Sequence, residues 1–213
     1  TEEPTADNCA KVGAVLARMH LASADFSMHR DDQRGMPWRE SVAQTLYPVV
    51  DAADATMLHE ELAHHRAQDW RHLSHGVVHA DLFPDNVLFR AADISGVIDF
   101  YYACNFYHIY DLAITVNQWC TRTDGALSLP RTTALLRAYH QHRPIASNER
   151  DAWPDMLRYA ALRFWISRLK DKIFPKQGLL TTIKDPDTLK FILAHRKGNA
   201  SMLRAQIDQA LAA

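Results

Sequence analysis

The sequence predicts a mostly α-helical domain holding one small β-island. Three observations carry that expectation. Only 7 glycines occur in 213 residues, about half the usual share of ~7%, which disfavours a turn-rich β-protein. Apolar residues recur at helical spacing through most of the chain. Three short runs rich in β-branched and aromatic residues (Val77 to His79, Asn86 to Phe89, Gly96 to Asp99) crowd into one stretch between longer helical patterns.

The elements follow in chain order. A helix is expected from about Asp7 to Leu21: Asp7 or Asn8 can cap its first free N–H groups, and Val12, Leu16 and Met19 fall on one face. Ser23 to Trp38 reads as polar linking chain, with Gly35 and Pro37 as breakers. A second helical pattern runs from about Ala52 to Trp70, and His75-Gly76 ends it where the β-island begins. Helices return over roughly Tyr110 to Trp119, Leu129 to His142 and Ala152 to Phe174. A last one runs from Pro186 to the C-terminus with a break near Gly198. No repeat, low-complexity tract or linker divides residues 1–213, which read as one unit.

Composition narrows the function classes. The 24 basic and 25 acidic side chains give a formal charge of −1, so a nucleic-acid or anionic-membrane partner, which rewards a basic surplus, is not expected. With 47% hydrophobic residues the chain can bury a core. No apolar run approaches the ~20 residues of a membrane helix. The start, Thr1-Glu2-Glu3-Pro4, is acidic where a signal peptide is basic. Three cysteines (Cys9, Cys104 and Cys120) form no Cys-x-x-Cys pair, so a cytoplasmic setting is expected.

The chemistry concentrates in the β-island. His79-Ala80-Asp81-Leu82-Phe83-Pro84-Asp85-Asn86 fits H-x-D-x-x-x-x-N, and Asp99 ends the next strand. Phosphoryl transfer needs a carboxylate beside the attacking hydroxyl and hard oxygen ligands holding Mg²⁺ on the phosphates. Asp81, on a loop after a strand, suits the first role. Asn86, where the loop re-enters a strand, and Asp99 suit the second, because Mg²⁺ takes one or two protein oxygens and fills the rest with phosphate and water. The competing reading of each element alone is local: Asp and Asn in turns usually bond to nearby backbone.

Taken together, Val78-His79-Ala80-Asp81, Asn86-Val87-Leu88-Phe89, Val97-Ile98-Asp99-Phe100 and Asp111-Leu112-Ala113 resemble the motifs of the kinase-like aminoglycoside and choline phosphotransferases. Ile98 to Asn105, Tyr110 to Ile114 and Leu162 to Leu169 resemble, more narrowly, the bacterial homoserine kinases of this type. The resemblance implies a protein-kinase-like C-terminal lobe with a catalytic loop at 77–90 and a metal motif at 96–100. It implies a cytoplasmic ATP- and Mg²⁺-dependent kinase for homoserine, a step of threonine biosynthesis, with an aminoglycoside or choline as alternative acceptors. Asp81 would be the catalytic base, and Asn86 and Asp99 the metal ligands. His79 would steady the loop, and Asp111 would brace it or cap a helix. Position 80 is Ala where protein kinases carry Arg, and no glycine follows Asp99-Phe100. A permanently assembled site for a small molecule is therefore expected.

No G-x-G-x-x-G and no strand lysine occurs in the chain, so the family's ATP-binding N-terminal lobe would lie upstream of Thr1. The chain alone is then expected to be inactive and to expose an apolar face that invites dimerisation. A non-catalytic pseudokinase or a metallohydrolase using His79, Asp81 and Asp99 are the other readings. For the acceptor, Arg163 and Arg168 are candidate carboxylate partners, although Arg168 and Asp171 stand at the i,i+3 spacing of a structural ion pair. Asn105, Asn117 and Trp119 are candidate pocket residues, with core packing favoured for Trp119. The His64-His65, His72, His75 and His140/His142 clusters read as solvated surface.

Overall fold

The computed structural model describes residues 3–175 and 184–212. Among these residues, eight helices and four strands follow one another as α1 (Ala6–Ala22), α2 (Met36–Leu46), α3 (Ala52–Arg66), β1 (His75–Val78), β2 (Val87–Arg90), β3 (Asp93–Val97), β4 (Cys104–Tyr107), α4 (His108–Trp119), α5 (Leu129–His142), α6 (Ser147–Ile173), α7 (Pro186–Gly198) and α8 (Ala200–Leu211). Short 3₁₀ turns at Pro84–Asn86 and Phe100–Tyr102 join the strands. A mostly helical body around a small β-region is the architecture the sequence predicts.

The helices form where polarity and caps allow. Thr5, ahead of the expected Asp7 or Asn8, caps α1: its side chain accepts from the Asn8 N–H while Asn8 reaches back to the Thr5 N–H, satisfying two free donors reciprocally. α1 packs along α5, where Gly13 is required because a Cβ there would collide with the Leu135 carbonyl oxygen. α4 is buried along nearly its whole length, and α6 is buried from Met156 to Ile166. These two helices cross through the centre, with Trp153, Trp165, Tyr110 and Tyr159 filling the space between them and their neighbours. Helices buried on all sides need no amphipathic stripe.

The island is two separate antiparallel pairs. β1 pairs with β4, His75 opposite Tyr107 and Val78 opposite Cys104. β2 pairs with β3, Val87 opposite Val97 and Arg90 opposite Asp93, with a bulge after Leu88. Gly76 belongs to β1; a Cβ there would lie 2.6 Å from the His108 ring. The chain between β1 and β2 and the turn between β3 and β4 therefore emerge side by side, the placement on which the site depends.

Several expectations are corrected. Pro37 opens α2 instead of breaking the chain, because a proline in the first helical turn gives up an N–H that has no partner anyway. β4 had no counterpart in the sequence reading. α3 ends at Arg66, four residues before Trp70, and α6 begins at Ser147, ahead of Ala152. His65 is buried (3% exposed), not solvated, and His20, His79 and His108 are buried too. The three cysteines are free thiols, all buried. No helix among the described residues is long and apolar enough to cross a membrane.

Candidate active site

Asp81, Asn86 and Asp99 line one cavity of about 280 Å³. Backbone geometry brings them there. β1 delivers the chain to His79, and Ala80 adopts a left-handed conformation (φ 61°) that turns Asp81 out of the strand direction. The Asp81 carbonyl accepts from the Phe83 N–H at 2.8 Å and from the Asn86 Nδ2 at 2.8 Å. That second bond fixes the amide of Asn86 and leaves its Oδ1 uncommitted. The Ile98 N–H donates to the Asn86 carbonyl at 3.0 Å, so the end of β3 is tied to the start of β2 and Asp99 arrives beside Asn86. Asp99 is itself left-handed (φ 65°, ψ 59°). Two non-glycine residues at positive φ within one site are backbone strain held by surrounding bonds, a pattern that clusters at functional positions.

The loop is held from beneath by buried polar groups. Asp111, in the first turn of α4, is wholly buried; its Oδ2 accepts from the His79 N–H at 2.7 Å and its Oδ1 from the Ala80 N–H at 2.8 Å. It sits inside the helix, whose cap position is Tyr107, so it braces the loop instead of capping α4. Burial alone would raise the Asp111 carboxyl, but the hydrogen bonds it accepts from His20 and from the His79 backbone N–H hold it below the ordinary value. His20 Nε2 lies 3.1 Å from Asp111 Oδ2, and its Nδ1 lies 2.7 Å from the Tyr139 hydroxyl. Arg143 donates to that hydroxyl at 3.2 Å and pairs with Glu149 at 2.8 Å. Trp119 Nε1 donates to the Leu82 carbonyl at 3.0 Å. The sequence reading gave neither His20 nor Tyr139 a role, because their partners lie about ninety or more positions away.

His79 joins the two halves of the site. Its Nδ1 accepts from the Asp81 N–H at 3.2 Å, so the ring hydrogen sits on Nε2, which donates to the Ile98 carbonyl at 3.0 Å. One imidazole therefore fixes the backbone of Asp81 and that of the residue before Asp99.

The electrostatics centre on Asp81. Burial pushes its carboxyl above the ordinary range and the Asp99 charge adds to this, while Arg163, His79 and Lys184 pull it down. Arg163, 2% exposed, donates through Nη1 to the Ala80 carbonyl and stands 4.0 Å from Asp81 Oδ1. Its guanidinium lies over the faces of Phe164 (4.3 Å) and Tyr102 (4.9 Å). Arg34 covers Tyr102 as well and donates to its hydroxyl at 3.2 Å, so Tyr102 is clasped by two cations. Arg168 and Lys184 also face the cavity.

Asn86 Oδ1 and the Asp99 carboxylate have no side-chain hydrogen-bond partner among the described residues, and both are hard oxygen donors. They fit Mg²⁺ with phosphate and water completing its shell. Among the described residues no three His, Cys, Asp or Glu side chains gather into a metal-holding group. Asn117 does not reach the cavity: it bonds the Leu157 carbonyl (2.8 Å) and Arg196 (3.0 Å) inside the core. Asn105 instead exchanges hydrogen bonds with the Arg30 backbone.

Comparison with known proteins agrees with this geometry. The fold is that of kinase-like phosphotransferases. It matches an aminoglycoside phosphotransferase from Alicyclobacillus acidocaldarius with a TM-score of 0.64 at 19% identity, over 97% of this chain and 68% of that one. A choline/ethanolamine kinase family protein from Mesorhizobium loti matches with a TM-score of 0.60 at 17% identity, over 94% and 65%. Residues 1–145 match the phosphotransferase enzyme family, and the chain belongs to it. A homoserine kinase of Methylobacillus flagellatus is 47% identical over 194 residues, covering 91% of this chain and 61% of that protein. One of Neisseria meningitidis is 41% identical over 193 residues, covering 91% and 63%. The chain thus spans about three fifths of the length of these curated relatives.

Proposed function

We propose that the protein carrying this chain is an ATP- and Mg²⁺-dependent kinase that phosphorylates the side-chain hydroxyl of homoserine. The observation that carries this reading is the meeting of Asp81, Asn86 and Asp99 in one cavity; the names of the relatives supply the acceptor. Asp81 accepts the hydroxyl proton as that oxygen attacks the γ-phosphorus, and the bond to ADP breaks as the phosphate ester forms. Its raised basicity suits a general base, which must be able to hold the proton it takes. Asn86 and Asp99 would hold Mg²⁺, which would neutralise charge on the transferring phosphate. Arg163 keeps Asp81 in place through the Ala80 carbonyl, and His79 and Asp111 fix the loop backbone.

The test uses the full-length gene product with ATP, MgCl₂ and L-homoserine, following ADP release and the phosphate ester by ³¹P NMR. Asp81→Asn and Asp99→Asn are expected to lower kcat about a thousandfold or more while the melting temperature holds. Phosphate release without ester formation would overturn the reading, as would faster turnover of kanamycin or choline run in parallel. The 213-residue chain alone is expected to show negligible turnover, since its sequence holds no glycine-rich phosphate loop. Leu88, Ile98, Phe100 and Tyr101 are 45–65% exposed beside the site. That apolar face supports self-association of the isolated chain, which a monomer mass in light scattering at all concentrations would refute.

A further inference from the structure

α6 presents two guanidiniums to the cavity, and the structure uses them differently. Arg163 is committed: its Nη1 bonds the Ala80 carbonyl, its plane covers Tyr102 and Phe164, and it faces Asp81. Arg168, further along the same helix, lines the same cavity and is half-buried. Its hydrogen bond runs from Nη1 to the Asp185 backbone carbonyl at 3.2 Å. The ion pair with Asp171 that i,i+3 spacing favours does not form: among the described residues Arg168 has no carboxylate within 4.0 Å. Residues 176–183 read Lys-Gln-Gly-Leu-Leu-Thr-Thr-Ile and contain no acid. Lys184, the third cation at the cavity, pairs with Asp85 at 3.1 Å. Among the described residues, Arg168 is thus a partly dehydrated planar cation with no carboxylate in direct contact, in the same cavity as the proposed base. A guanidinium in that state matches a carboxylate in shape and charge, since two parallel N–H groups meet two oxygens.

We propose that Arg168 binds the carboxylate of the acceptor, so that the substrate class is alcohols bearing a carboxylate. The inference rests on the kinase reading above and adds the residue that selects the acceptor. With the anion held by Arg168, the hydroxyl of a short hydroxy acid has to reach Asp81 across the one cavity that both residues line. A quaternary ammonium acceptor would meet Arg168 with like charge.

The test compares two acceptors in the full-length gene product: L-homoserine, and 3-aminopropan-1-ol, which keeps the hydroxyl and the amine but lacks the carboxylate. Arg168→Met is expected to raise the homoserine KM about tenfold or more, leaving the ATP KM and the kcat/KM for 3-aminopropan-1-ol within about twofold. Arg168→Lys, which keeps the charge without the fork, is expected to recover part of the loss. An equal loss on both acceptors would show a structural role, and an unchanged homoserine KM would show no contact; either overturns the proposal. Calorimetric titration of L-homoserine into the same proteins reads recognition without turnover. Binding that weakens in Arg168→Met supports the proposal even if no ester forms, in which case the kinase reading alone fails. Equal binding, or none by the parent protein, overturns it.

Discussion

Asp81 is drawn in two directions, and that tension can be measured. Burial raises its carboxyl and the Arg163 charge lowers it. Removing that cation in Arg163→Met raises it further. Because the proposed base works only when ionised, the acid limb of the kcat/KM profile is expected to move to higher pH; a limb that stays in place would show that Arg163 does not act on Asp81. Asp111 is the other sensitive residue. Asp111→Ala leaves the His79 and Ala80 N–H groups buried without acceptors, an expected loss of about 2–4 kcal/mol in denaturant unfolding, with a fall in kcat. The spacing of Asp81, Asn86 and Asp99 was legible in the sequence because the three are close along the chain and set by short strands. The clasp of Arg34 and Arg163 on Tyr102 was not, since cation–π geometry leaves no pattern in a single sequence.

At the scale of elements, what was legible followed local chemistry and what was missed followed distant partners. α5 matches its expected limits because its apolar period and Pro130 define them. β4, Cys-Asn-Phe-Tyr, has no β-branched residue and exists because β1, from nearly thirty residues earlier, pairs with it. α2 was hidden by Pro37, whose effect depends on where a helix starts. The β2–β3 hairpin carries a testable flaw: its turn residue Ala91 is exposed and left-handed (φ 53°). An alanine there costs about 1–2 kcal/mol in sterics that glycine avoids, against the greater freedom glycine gains on unfolding. Ala91→Gly is therefore expected to stabilise by about 0.5–1 kcal/mol in thermal unfolding; a loss of that size would show the turn to be relaxed with alanine in place.

For the whole molecule, buried histidines set the response to acid. His108 is held at about 3, first by burial and then by the neighbouring charges of His20 and Arg143. His65 is held at about 4 by burial, with the Arg39 and His64 charges adding to it and Glu61 opposing. Both are neutral in the folded protein below the pH at which they take a proton in the unfolded chain. The unfolded chain therefore binds more protons as pH falls below about 6.5, and stability falls with it. Above that pH neither histidine contributes a slope. By pH 5 each removes about 2 kcal/mol, a large part of the ~5–15 kcal/mol that holds a domain together. The melting temperature is expected to be flat from pH 7 to 8 and to drop steeply between pH 6.5 and 5. His108→Gln, which cannot take up a proton, is expected to flatten that drop. Since the His108 ring lies tilted against His20, centroids 4.6 Å apart, and His20 bonds Asp111, acid loosening is expected to begin at the loop carrying Asp81. Hydrogen exchange at the His79 and Ala80 amides should then rise before global unfolding, and exchange that rises only with the global transition would refute the coupling.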